Sequence, residues 1–350
     1  MDYRPLGRTG LSVGALSLGT MTWGEQNTQD EGFAQMDYAL ERGLNLFDAA
    51  ELYPIPPKAE TQGRTEEILG NWMADRGTRD RIILASKVIG RSGHDWFRDD
   101  GRGPRLNARD IEEAVNKSLK RLKTDRIDLY QVHWPDRPTS QFGANPTVYN
   151  VPDAVDDETP IHESLEALDR LVKAGKILHI GVSNESAWGV MKWLAASDAG
   201  HGPRIASIQN AYSLVNRTFE TNLAEVSLRE DVSLLCYSAL AQGYLTGKYR
   251  GGAQPAGARR TLFDRLSRYE GPGAEAVNDM YVALAEESGL DPAQMAIAFA
   301  ASRPFMTSVI IGATTMDQLK TVINAADLTL SEDVLAEIDK IQRAHGNPSP

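Results

Sequence analysis

Cysteine is nearly absent. Cys236 is the only one in 350 residues, so no disulfide within the chain can brace the fold. It lies in the apolar run Val232-Ser-Leu-Leu-Cys-Tyr237, where a free thiol reads as inert core. No stretch reaches the ~18 apolar residues of a membrane span, and the opening Met-Asp-Tyr-Arg carries no apolar leader. A soluble, cytoplasmic protein with no membrane partner is the expectation. The six histidines form no His-Glu-x-x-His or comparable cluster, so no metal site is expected. Positive charge is short as well: 37 Lys and Arg against 48 Asp and Glu leave a formal net charge of −11. That disfavours nucleic acid and anionic membranes as partners, while a local basic pocket stays open. No Gly-x-Gly-x-x-Gly opens a first helix, which argues against a Rossmann fold. No Ser- or Gly-rich linker divides the chain, so 1–350 reads as one domain.

What is present is alternation. A hairpin is predicted around Gly7 and Gly10, ahead of the main fold. Counting from Ala15, eight apolar strands follow: 15–18, 44–47, 82–86, 127–132, 177–182, 205–209, 232–237 and 308–311. Helical spacing of apolar residues fills the gaps at 30–42, 65–76, from Asn107 onward, 160–175, 186–199, 218–229, 274–288 and 315–326. Asn107 reads as an N-cap, and Pro160 as the first residue of its helix. A further helix is predicted over 331–345. Strict strand–helix alternation demands a parallel sheet. Eight uninterrupted units predict an α/β fold of the closed (β/α)8 TIM-barrel type, with an N-terminal β-hairpin and an additional C-terminal helix. The apolar fraction, 41%, is ample for the core of such a domain. Three connections are long for such a fold: Val88 to Leu106, Trp134 to Glu158, and Gly251 to Glu270. Each follows a strand's C-terminal end, so each is placed on the catalytic rim.

The strands end in chemistry. Leu44-Asn-Leu-Phe delivers Asp48 and, five residues on, Tyr53. Ile82-Ile-Leu-Ala-Ser ends in Lys87. Ile127-Asp-Leu-Tyr-Gln-Val ends in His133. In barrels the active site sits at the strand C-termini, so these four are expected to converge. A tyrosine phenol titrates near pH ~10, too high for free acid–base work at neutral pH. A neighbouring lysine is expected to lower that value, and an aspartate to hold the lysine. A histidine can orient a carbonyl oxygen. Such a site gives a proton, or a strong hydrogen bond, to a carbonyl that becomes an alkoxide. The carbon then needs a hydride, which no side chain supplies, so a nicotinamide is implied.

Over essentially its whole length the chain resembles the aldo-keto reductases. The likeness runs, in order, through Leu18-Gly-Thr20, Asp48-Ala-Ala-Glu-Leu-Tyr53, Thr65-Glu-Glu-Ile-Leu-Gly70, Ser86-Lys87, Ile180-Gly-Val-Ser-Asn184 and Tyr237-Ser-Ala-Leu-Ala-Gln-Gly-Tyr-Leu-Thr-Gly-Lys248. Tyr53-Pro-Ile-Pro-Pro-Lys-Ala-Glu-Thr-Gln-Gly63, Gln131-Val-His-Trp-Pro135 and Gly312-Ala-Thr-Thr-Met-Asp-Gln-Leu-Lys320 are similar to a bacterial, Tas-type branch of that family. The resemblance implies a barrel that reduces aldehydes and ketones, small carbonyl molecules, with NADPH. It places the catalytic tetrad on Asp48, Tyr53, Lys87 and His133, with Tyr53 the proton donor. It implies that Ser183, Asn184 and Gln209 hold the nicotinamide amide and that Tyr237 stacks on the ring. It counts Gly19, Thr20 and Asp48 among the cofactor-binding residues as well. The pyrophosphate is implied to lie along Tyr237, Ser238, Leu240, Gln242, Gly243, Leu245, Gly247 and Lys248. The adenosine 2′-phosphate falls to Gly312, Thr314 and Gln318, with Arg259 or Arg260 reaching over from the third long loop. One departure stands out: where the family usually carries a Glu-Asn pair beside the adenine, this chain has Thr321 and Val322.

Two rival readings stay open at this point. The potassium-channel β subunits share the fold and loop style, which leaves a nicotinamide-sensing regulatory subunit as an alternative. An aldolase-like barrel would use Lys87 as a Schiff base. The loop from Trp134 to Glu158, with Trp134, Phe142 and Tyr149, is expected to wall and cover the substrate. The chain leaves substrate and oligomeric state open.

Overall fold

A computed structural model describes residues 1–139, 148–263 and 267–349. Two short strands open the chain, β1 (Tyr3–Pro5) and β2 (Ser12–Gly14), paired antiparallel. Then come β3 (Leu16–Gly19), helix α1 (Gln29–Glu41), β4 (Leu46–Asp48), α2 (Arg64–Arg76), β5 (Ile83–Val88) and α3 (Ala108–Leu122). The alternation continues through β6 (Ile127–Val132), α4 (Ile161–Lys173), β7 (Ile177–Ser183), α5 (Ala187–Asp198), β8 (Ser207–Gln209), α6 (Leu223–Glu230) and β9 (Ser233–Cys236). Past β9 lie the short α7 (Arg259–Leu262), α8 (Ala274–Glu287) and α9 (Pro292–Ala301), then β10 (Met306–Ile311), α10 (Met316–Ile323) and α11 (Glu332–His345).

Strands β3 to β10 run parallel in chain order, and β10 pairs back onto β3 to close the barrel. Strands β5 and β6 are buried at every position, as expected where helices cover a parallel sheet. Side-chain caps mark many helix starts. Thr28 and Glu31 form a capping box at α1, while Asn107, Ser186, Asp291, Thr315 and Ser331 cap α3, α5, α9, α10 and α11. Each satisfies a backbone N–H that the first turn leaves without a partner. The hairpin closes the barrel floor: Leu6 and Val13 pack with Leu46, Ile83, Ala85, Leu129, Ala206 and Leu235.

The structure departs from the sequence expectations in several places. Pro160 is the N-cap of α4 and not its first residue. The 218–229 helix is broken into a single 3-10 turn, Thr218–Glu220, and α6. Helix α9 was not anticipated: most of its residues are buried, so it lacks the polar face that periodicity needs. Strand β8 is shorter than its apolar run by two residues.

Candidate active site

Asp48, Lys87 and Tyr53 meet as predicted. Lys87 Nζ donates to Asp48 Oδ2 at 2.6 Å, to the Ala49 carbonyl at 2.8 Å, and to the Tyr53 hydroxyl at 3.4 Å. The ion pair is almost wholly withdrawn from solvent, at 0% and 3% side-chain exposure. Asp48 Oδ1 accepts from Gln209 Nε2 at 2.9 Å and Gln131 Nε2 at 3.2 Å. Thr20 Oγ1 donates to the Asp48 carbonyl at 2.8 Å. Gln131 was not singled out in the sequence. It lies one strand over from Lys87, in register with it, and nothing in the local pattern marks it.

His133 stands edge-on to Tyr53, ring centres 5.7 Å apart. Burial, then the charge of Lys87, holds its imidazole well below the usual range, so it is neutral. Burial is the largest single effect on the Lys87 ammonium and works against it, but the charges and hydrogen bonds of Asp48 and Tyr53 together outweigh it and the net pKa is raised. Tyr53 is the correction. Lys87 does pull its phenol down, yet burial is the larger effect and the net pKa is raised above 10.0. The sequence could not weigh those two against each other, because burial is a property of the assembled barrel.

These residues open onto a cavity of about 1870 Å³ lined by Asp48, Tyr53 and His133. That exceeds the roughly 300–1,000 Å³ typical of small-ligand pockets. Ser183, Asn184, Gln209 and Tyr237 share its wall with Gly19 and Thr20. Asn184 donates to the His133 carbonyl at 2.8 Å, and its Oδ1 accepts from the Tyr237 hydroxyl at 2.6 Å. Ser183 Oγ donates to the Gln209 carbonyl at 2.7 Å. Ser238, Leu240, Gln242, Gly243, Lys248, Arg259, Gly312, Thr314 and Gln318 also line it, as do Thr321 and Val322.

Three expected residues stand elsewhere. Leu245 is buried in the main core, and Gly247 ends the turn behind it; neither reaches the wall. Arg260 turns away to Glu270 at 3.0 Å and lies against Tyr244 and Tyr249. The turn itself is tight: Gly243 has φ +105°, and a β-carbon there would meet Lys248 Cε at 2.6 Å. Lys248 lies over the Tyr249 ring, and burial together with Arg259 lowers its pKa. Arg268, from the same long loop, was missed in the sequence but lines the cavity. Among the described residues, neither Lys248 nor Arg268 pairs with a carboxylate.

The loop from Trp134 to Glu158 divides. Its root, Trp134 to Thr139, lines the cavity. Arg137 is tied to the buried Glu185, and Trp134 Nε1 donates to the Arg91 carbonyl at 3.0 Å. Val148, Tyr149 and Val151 are exposed and off the wall. Tyr149 therefore does not cover the site as expected, and Phe142 lies outside the described residues. The segment after β5 contributes Arg91, Ser92 and His94 instead.

In chemical terms the site offers a protonated phenol, a fixed cation beside it, a neutral imidazole, and a distant end rich in cations and backbone amides. Comparison with known proteins gives the family of the chain. A model of the aldo/keto reductase family matches residues 15–343. Protein tas of Escherichia coli (strain K12) is 51% identical over 354 residues, covering 100% of both chains. The uncharacterized oxidoreductase YrpG of Bacillus subtilis (strain 168) is 32% identical over 100% of this chain and 98% of its own. A probable voltage-gated potassium channel subunit beta of Arabidopsis thaliana is 30% identical over 97% of this chain and 96% of its own. The chain thus belongs to the aldo/keto reductase family, oxidoreductases that act on small molecules with a nicotinamide cofactor.

Proposed function

We propose that the protein reduces aldehydes and ketones to alcohols with NADPH. The observation that carries this is the buried Asp48–Lys87–Tyr53 chain, which brings one protonated hydroxyl to the cavity wall. Tyr53 gives its proton to the carbonyl oxygen. Its raised pKa keeps that proton in place at neutral pH. Lys87, with its charge secured by Asp48, steadies the phenolate left behind. Neutral His133 donates an N–H to the same oxygen and adds no charge that would compete with Lys87. When bound, NADPH supplies the hydride to the carbonyl carbon.

The residues present fit that cofactor. Ser183, Asn184 and Gln209 offer both donors and acceptors to a carboxamide, and the Tyr237 ring, fixed through Asn184, offers a face to stack on. Ser238, Leu240, Gln242 and Gly243 present backbone to the pyrophosphate. Lys248, Arg259 and Arg268 supply positive charge, and Gly312, Thr314 and Gln318 supply polar groups for the adenosine phosphate. Thr321 and Val322 give the adenine less to bond than the usual Glu-Asn pair.

Loss of NADPH absorbance with a panel of aldehydes and ketones tests the reading. Turnover supports it. Tight NADPH binding with no turnover on any carbonyl would favour the alternative, a nicotinamide-sensing regulatory subunit like the channel subunits to which the chain is related.

A further inference from the structure

Glu51 and Arg98 form a second ion pair as deeply buried as Asp48–Lys87, at 1% and 0% side-chain exposure, yet neither lines the cavity. The pairing is a fork. Arg98 Nη1 donates to Glu51 Oε2 at 2.9 Å, and Nη2 donates to Oε1 at 3.0 Å. Glu51 Oε1 also accepts the Ile89 N–H at 2.9 Å. Its backbone is held too: the N–H donates to the Lys87 carbonyl at 3.2 Å, and the carbonyl accepts from Gln62 Nε2 at 2.6 Å. Burying two charges is costly, and an apolar pair of like volume often serves stability as well. Stability alone is therefore a weak account of this pair.

Its position offers a better one. Glu51 lies between Asp48 and Tyr53, on the segment that carries the hydroxyl. Arg98 lies midway along the segment that leads from β5 to α3. Between them, Ala50, Leu52, Tyr53, Ile89 and Phe97 pack as one cluster, with Trp96 and Trp134 against it. The same segment presents His94 to the cavity, its ring 4.3 Å from Trp96. Fixing Arg98 on Glu51 thus sets two things against each other: the height of Tyr53 and the wall opposite it.

We propose that Glu51 and Arg98 are positioning residues, a buried fork that sets the distance between the Tyr53 hydroxyl and a substrate wall formed by residues 89–98, with His94 facing the substrate. This rests on the carbonyl-reductase reading. The fork acts through Tyr53 and His94 and touches neither substrate nor cofactor.

The test is Arg98→Lys, which keeps the charge and loses the fork. A misplacement of about 1 Å can cost about 100-fold in rate, so kcat is expected to fall roughly 10- to 100-fold. The ratio of KM values for a bulky aromatic and a small aliphatic aldehyde should shift in the same direction as in His94→Ala. NADPH affinity, read by fluorescence titration, should stay within about two-fold, since its proposed contacts lie on other strands. Unchanged kcat and KM ratio in the folded variant would overturn the proposal. So would NADPH affinity falling in step with kcat, which means general loosening. Should Arg98→Lys not fold, the double variant Glu51→Leu/Arg98→Met removes both charges at similar volume and is expected to fold. The same kinetic signature is expected of it. Hydrogen exchange separates this proposal from the functional reading: in the double variant, amides of 49–55 and 89–98 should exchange faster while those of 177–184 do not. Wild-type protein inactive on every carbonyl would remove the functional reading alone. Unchanged exchange in both segments would remove this one.

Discussion

Replacing Tyr53 by Phe removes one oxygen and leaves the rest of the site in place. Lys87 Nζ approaches that oxygen at 3.4 Å, but holds Asp48 Oδ2 at 2.6 Å and the Ala49 carbonyl at 2.8 Å. The lost contact is the longest of the three, so stability should change by less than about 1 kcal/mol. The ring stays in its apolar cluster with Ala50, Leu52, Ile89 and Phe97. Chemistry should suffer far more. Loss of a positioned general acid costs about 10²- to 10⁴-fold, or about 2.7–5.4 kcal/mol of transition-state stabilisation. Reduction of an aldehyde by NADPH should accordingly fall at least about 100-fold in kcat, with melting temperature and NADPH affinity near wild type. Wild-type reduction should also stay flat through neutral pH and fall only above about pH 10, because the phenol's pKa is raised. A Phe variant within ten-fold of wild type would refute the assignment of the proton donor. A variant that loses NADPH binding in proportion would show that the hydroxyl serves the cofactor.

Asp48→Asn should destabilise the fold by about 3–5 kcal/mol, because it leaves the Lys87 ammonium buried without a carboxylate; chemical denaturation measures this. His133 should make stability fall on acidification. Its folded pKa is depressed, so below about pH 6.5 the unfolded chain binds the proton first, and stability is lost as pH drops toward the folded value. His133→Asn should flatten that slope by up to about 1.4 kcal/mol per pH unit, with the half-buried His179 accounting for part of what remains. Lys248→Ala and Arg268→Ala should each weaken NADPH more than NADH, whereas Arg260→Ala, whose contacts to Glu270, Tyr244 and Tyr249 lie off the cavity wall, should leave the ratio unchanged.

Much of the barrel was legible because burial on both faces leaves strands as mainly apolar runs, visible at Ile83 to Val88 and Ile127 to Val132. The convergence of Asp48, Lys87, Tyr53 and His133 followed from the same logic, since each ends or follows a strand. What stayed hidden had no local signature. Helix α9 has nearly no polar face. Glu51 and Arg98 stand 47 residues apart with no period to connect them. Gln131 looks like one polar residue in an apolar strand until the register sets it beside Asp48. The balance at Tyr53 between Lys87 and burial turns on the depth of a finished cavity. The split of the 134–158 loop turns on Arg137 finding Glu185, 48 residues on.

The hairpin on the barrel floor works as a stopper. Among the described residues, Leu6 and Val13 plug the far end of the barrel, packed among the inward side chains of the strands. The cavity's lining residues lie on the side of the rim loops, away from that floor. A floor of apolar side chains, remote from any reacting atom, thereby turns the barrel's one wet end toward the rim that carries Asp48, Tyr53 and His133.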